Sequence, residues 1–453
     1  MMDQHRRGAF GVAAAASAVL LTVMASAAWA QNMELVSRYD GFNGEYADVW
    51  GEGNFAYVGH YGDGGVHIID LSNPANPVVA DHYRLQSPNQ FASAQDLKVH
   101  NGLLFVALEA DPNDSAVIID VRDPYNPVQL TRIDISGFAA VHNLFYDNGF
   151  LYMADSRDPD VAIIDLRNYD PDNPPSLITS TRWTLRNVGS WFVHDITVKD
   201  GRLYACGWDS GLFIYDVSNV ANSQPTLLGS TGGNNTHSCW PTDDGRYVVT
   251  GEEREGGGIK VYRVTDNGNS VSLAQTDSLA LPLSSAYSVH NQLIDGYRLY
   301  VSWYQAGVHV YDINPTTGRL EFVGSYDTYS GGGQGFVGCW GVYPFLGTGR
   351  ILATDIDNGL HVLRLTGAGP ECDDIKAFKG KCKGDGSIIA KLVLFNESFD
   401  GAEVTFGIDG QPHSTSINGR RAKVKVCCYS LGQHSVTLDD PTGCRSPISV
   451  TCD

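Results

Sequence analysis

Histidine is sparse in this chain, 13 in 453 residues, yet it keeps returning in one local frame. VHNLFYDNGFLYMAD, from Val141, is echoed by VHDITVKDGRLYACG from Val193 and VHNQLIDGYRLYVSW from Val289, with His142, His194 and His290 in register. Counting back ten residues from the aromatic of each second apolar run gives a row: Ala47, Gln95, His142, His194, His237 and His290. The last repeat is irregular and falls near Gly338 or Cys339. Neutral imidazole is the commonest metal ligand, and three or four brought to one point would suit Zn, Cu or Fe. Hydrogen bonding between repeats is the competing reading, and a metal-free pocket for a small anion or sugar is a third.

The neighbouring row reads Asp48, Asp96, Asn143, Asp195, Ser238 and Asn291. Its regularity fits a device that binds turn backbone or bridges repeats. A metal would also need supporting groups, because carboxylates orient imidazoles or complete a coordination shell. His60, Glu109, Asp155, Glu252 and Asp355, in the loops after the second runs, are the candidates. Glu253 falls in the same loop as Glu252, but the rest of EEREGGG (252–258) reads as solvated. The Asp-rich loops DPNDS (111–115) and DSRDPD (155–160) are candidate calcium sites, although these residues also make ordinary turns. Trp50, Trp208 and Trp303 would stack on a sugar or peptide unless they serve the core. No GxSxG, HExxH, phosphate loop or dinucleotide fingerprint occurs, so no catalytic residue is assigned.

The elements that must position these residues repeat as well. HIIDLSNPANP (67–77), VIIDVRDPYNP (117–127) and AIIDLRNYDPDNPP (162–175) are followed by weaker copies at 212–219, 259–264, 308–314 and 360–365. Each belongs to a group of four short runs rich in Val, Ile, Leu and Tyr, separated by turn residues. Runs such as VHNLFYD, FLYMAD, VAIIDL and LITSTRW read as antiparallel strands, with DNG (147–149) and KDG (199–201) as hairpin turns. Four strands per repeat of about 40–50 residues predict a β-propeller, here of seven blades. The last repeat lacks its fourth strand, whereas ELVSRYDGF (34–42) is a leftover strand that would close the ring.

HIID, VIID, AIID and VYD resemble the repeats of LVIVD-repeat proteins, exported bacterial propellers of the choice-of-anchor B type. The resemblance spans roughly Tyr46 to Leu365 and implies the fold while carrying over no activity. Such chains often end in a sorting or anchoring signal, and this one ends in SVTCD.

After residues 365–370 the pattern changes. Cys372, Cys382, Cys427, Cys428, Cys444 and Cys452 crowd a short alternating segment that reads as an Ig-like β-sandwich held by three disulfides. Cys427 and Cys428 are neighbours in an expected strand, so they should face opposite sides and take different partners. At the other end, a basic HRR (5–7), an apolar stretch (11–27) and Ala28-Trp29-Ala30 form a signal peptide. The expected organisation is signal peptide 1–30, propeller 31–367 and sandwich 371–453.

No later apolar run is long enough to span a membrane. The net charge of −20 disfavours nucleic acid and anionic lipid as partners. These features describe an exported all-β protein at the cell surface, in the periplasm or outside the cell. It would be a scaffold taking a protein or carbohydrate ligand on its propeller face. The alternative is a metal-dependent oxidase or hydrolase built on His142, His194, His237 and His290.

Overall fold

The computed structural model describes residues 32–452, except 43, 62–64, 86–92, 110–114, 139–140, 156–157, 190–191, 282–286, 332–334, 347–348, 367–371, 396–398, 400–401 and 441–443. The signal segment, most of the first Asp-rich loop and part of the second therefore lie outside the described residues. No helix among those described is long and apolar enough to cross a membrane.

Among the described residues between Met33 and Leu365 the chain forms seven sheets, antiparallel except for one short added strand. Asn101-Gly102, Asn148-Gly149 and Asp200-Gly201 all have positive φ, the backbone of two-residue hairpins whose twist matches the flanking strands. The first strands of the sheets touch in chain order, and the last returns to the first. The leftover strand, Met33–Tyr39, pairs antiparallel with Gly359–Leu365 and completes the sheet of Cys339–Tyr343 and Arg350–Asp355. The ring closes without an open seam, so the chain is a β-propeller.

Strand alternation builds the core, because successive side chains face opposite sides. In the third blade, Leu151 and Met153 pack on Phe105 and Ile118 of the second. Phe150, Tyr152 and Ala154 of the same strand pack on Val193, Ile196 and Val198 of the fourth. The expected fourth strand LITSTRW divides instead. Leu177–Ile178 adds to the second blade, parallel to Val128–Ile133, while Trp183–Leu185 serves the third. The long preceding segment reaches that edge, where Thr131 Oγ1 donates to Pro175 O at 2.7 Å and Arg132 N to Ser176 O at 3.1 Å. An otherwise unpaired strand edge is thereby covered.

One buried ion cluster lines the channel wall. Lys98 Nζ bonds Asp96 and lies 3.2 Å from Asp48 Oδ2, with the Trp50 ring 4.8 Å away. Burial opposes the ammonium charge, but Asp96 and Asp48 outweigh it and raise the Lys98 pKa.

The C-terminal segment is a sandwich. Ile375–Cys382, Ile388–Leu394 and Arg421–Val426 form one sheet; Glu403–Ile408, Gln411–Ser416, Gly432–Asp440 and Ile448–Cys452 form the other. Ile388, Leu392, Phe406, Ile408 and Val436 fill the core they share. Cys372–Cys444 and Cys382–Cys452 are disulfides closing loops of 72 and 70 residues. Each alone is worth about 4 kcal/mol in the chain-entropy account. The expected third disulfide is absent. The strand ends at Val426, and Cys428 has a φ of 75°, so alternation no longer separates the two cysteines. Both are exposed free thiols with sulfurs 2.9 Å apart.

Two outcomes follow. Lys98→Met should cost about 3–5 kcal/mol in chemical denaturation by leaving buried carboxylates unneutralised, and adding Asp96→Asn should restore part of it. Native thiol labelling should modify Cys427 and Cys428 but reach the buried Cys206, Cys239 and Cys339 only after unfolding.

Candidate metal centre at the channel mouth

The backbone slips by a residue where each histidine sits. The ladder register shifts between Val141 and Asn143 and between Thr236 and Ser238, leaving His142 and His237 unpaired. In the fourth and sixth blades the matching irregularity brackets His194 and His290: His194 N donates to Cys206 O, and His290 N to Ser302 O, both at 2.9 Å. Such bulges redirect one side chain. The last blade slips between Cys339 and Gly341, so its equivalent residue is Trp340, in place of the Gly338 or Cys339 expected from spacing.

The four imidazoles form a continuous file, with ring centroids 4.2, 4.0 and 4.5 Å apart from His142 through His194 and His237 to His290. Three of them have Nδ1 against an acceptor. His142 Nδ1 lies 3.0 Å from Glu109 Oε1, His194 Nδ1 2.9 Å from Asp195 Oδ1, and His290 Nδ1 2.8 Å from Trp340 O. Carboxylates and carbonyls in such positions fix the tautomer and leave Nε2 as the donor to a metal. His237 differs: it is 1 % exposed, and neither ring nitrogen has a hydrogen-bond partner.

Electrostatics hold three of the four imidazoles in the neutral, ligand-competent form. Burial lowers the pKa of His194, with repulsion from His142 adding to it. Burial also lowers His237 and takes His290 down to about 3. Burial opposes the charge on His142 as well, but Glu109 outweighs it and raises the pKa to about 9. Asp195 is lowered despite burial because His194 bonds it. Burial pushes Glu253 up to about 7, although Tyr304 donates to its Oε1 at 2.5 Å.

Among the described residues, two groups of side chains bring possible ligand atoms within 4.8 Å of one another: His142, His194, Asp195 and His237, and His237, Glu253 and His290. Asp195 comes from the row expected to bridge repeats. Three of its counterparts do bridge to the next blade: Asp96 Oδ2 accepts Leu144 N at 2.8 Å, Asn143 Oδ1 accepts Ile196 N at 3.0 Å, and Ser238 Oγ donates to His290 O at 2.7 Å. Asp195 bonds His194 instead.

The expected supporting groups scatter. Glu109 stands behind His142. Glu252 is taken by Lys260 and Arg254, so its neighbour Glu253 reaches the histidines. Asp355 accepts Thr328 Oγ1 at 2.8 Å and the amides of Asp357 and Asn358, which holds a turn. His60 is buried with Tyr46 and His67 in the first blade, and Asp155 lies buried opposite Val141. Neither falls in a ligand group. In the Asp-rich loop, Asp160 pairs with Arg186. Trp303 is core, Trp50 covers Lys98, and Trp208 stacks on His194 at 5.0 Å. Trp208 and Tyr304 have positive φ, 43° and 22°, at the blade exits beside the cluster. Such strain is held only where surrounding structure enforces it.

Residues 43–84 and 192–231 match the LVIVD repeat model. No curated protein matches the chain. Among solved structures, it is similar to the β-propeller domain of Cps50 (Swd1) from Myceliophteria thermophila, at 14% identity and a TM-score of 0.53, over 74% of this chain and 100% of that one. It is also similar to BamB from Moraxella catarrhalis (12%, TM-score 0.43, 70% and 81% covered) and to the computationally designed Ika8 protein (11%, 0.46, 73% and 99%). The likeness to the Cps50 domain speaks for the fold alone. With a closed ring of sheets and two segments that match the LVIVD repeat model, the chain is a β-propeller that carries LVIVD repeats.

Proposed function

We propose that this protein is an exported binding scaffold that holds a divalent transition metal at the mouth of its channel. The observation that carries the reading is His237. A buried imidazole with both nitrogens unpartnered is disfavoured by roughly 1–3 kcal/mol per lost bond, and a metal would supply the missing interaction. The first ligand group, His142, His194, Asp195 and His237, offers three nitrogens and a carboxylate, a donor set suited to Zn or Cu, with Fe as a further occupant. The outer partners Glu109 and Asp195 support this reading by fixing ring orientation.

A scaffold is favoured over an enzyme by space. The cavity bounded by His142, His237, His290, Asp195 and Trp340 has a volume of about 10 Å³, far too small for an organic substrate. Among the described residues, nothing there would enclose a substrate. A protein or carbohydrate partner on this face is supported by Phe336, 48% exposed beside Tyr304. Export is supported by the two disulfides and the signal-like segment 1–30. The proposed division is a propeller over 31–367 and a sandwich over 371–453.

Zn(II) or Cu(II) should raise the melting temperature of untagged, chelator-treated protein by several degrees. His237→Leu should abolish that rise while leaving the metal-free protein at least as stable, since it removes an unpartnered polar group. Asp195→Asn should weaken the metal response without unfolding the chain. A melting temperature indifferent to Zn, Cu and Fe would overturn the reading.

A further inference from the structure

We infer that the cluster is built for two ions, with His237 bridging them as an imidazolate. This rests on the metal-binding reading above and adds a second site to it. His237 is the residue shared by both ligand groups. Its Nδ1 lies 3.9 Å from Asp195 Oδ2, and its Nε2, on the opposite side of the ring, lies 3.6 Å from Glu253 Oε2. Two ligands on a tetrahedral ion at 2.0–2.2 Å sit about 3.4 Å apart, so each nitrogen is close to the spacing needed to share an ion with its own carboxylate.

The other three histidines cannot play this part. Each has Nδ1 set against Glu109, Asp195 or the Trp340 carbonyl and keeps one nitrogen for a metal. His237 keeps two. The first ion would take His142, Asp195 and His237, with His194 completing a set of four through its Nδ1 once that nitrogen exchanges Asp195 for the ion. The second would take His237, Glu253 and His290, with a fourth position left to water. As the ions bind, His142 gives up its extra proton, Glu253 is held as the carboxylate, and the neutral His237 ring loses its remaining N–H proton, the released protons passing to solvent. The imidazolate and the carboxylates of Glu109, Asp195 and Glu253 then carry four negative charges against the four positive charges of two divalent ions. That balance matters in a buried site, where uncompensated charge is costly.

The test is metal stoichiometry of the intact, untagged protein dialysed after loading with Zn(II) alone, and electron paramagnetic resonance after loading with Cu(II) alone. The expected results are two equivalents bound and a Cu(II) signal well below two spins per chain, because an imidazolate couples the ions. Glu253→Gln should reduce binding from two equivalents to one. One equivalent in the unmodified protein would overturn the bridge and leave the single-metal reading standing. Two equivalents with full, uncoupled Cu(II) intensity, or two retained in Glu253→Gln, would overturn the assignment of His237 or Glu253. No binding at all would remove the metal-binding reading itself.

Discussion

The candidate centre depends on one backbone irregularity, an unpaired residue at the inner start of the first strand. A regular ladder would point alternate side chains into the interblade layers on either side. The slip frees one residue from that alternation, and the ring of blades brings the freed residues together near the axis. His142 and His237 occupy it in register shifts, and His194 and His290 in the looser backbone of their blades. Fold and centre are thus coupled: the residue that pairing leaves out is the one available for chemistry.

Legibility followed the length scale of the signal. Blades, hairpin turns and the histidine row were readable because each repeats with fixed spacing and period-two alternation. The centre was less readable because its remaining groups belong to single loops. Nothing in Glu252-Glu253 announces which carboxylate faces the axis; the choice is made by Lys260 and Arg254, which draw Glu252 away. Asp195 was hidden in a row in which Asp96, Asn143 and Ser238 hold the backbone of the next blade, and its bond to His194 sets it apart from them. An alternative count that allowed for a bulge would have found Trp340. The split of LITSTRW depended on the reach of the insertion before it, and the fate of Cys427 and Cys428 on a backbone turn just after Val426.

The two polar clusters of the channel obey one rule from opposite directions. Around Lys98, two carboxylates meet a cation that the protein itself supplies. Around His237, imidazoles and carboxylates converge and the protein supplies no further cation beyond His142. Charge buried in a propeller axis must be compensated locally, so the first cluster is complete within the chain and the second invites a ligand.

The pairing of Met33–Tyr39 with Gly359–Leu365 has a kinetic consequence. The first strand of the propeller is required by its last sheet, so the ring cannot be sealed until the chain has grown past Leu365. Contacts of such long sequence separation fold slowly, and this one delays the final sheet until more than three hundred intervening residues are in place. The same sheet holds both ends of the ring, so tension between them would load that pairing before any other blade.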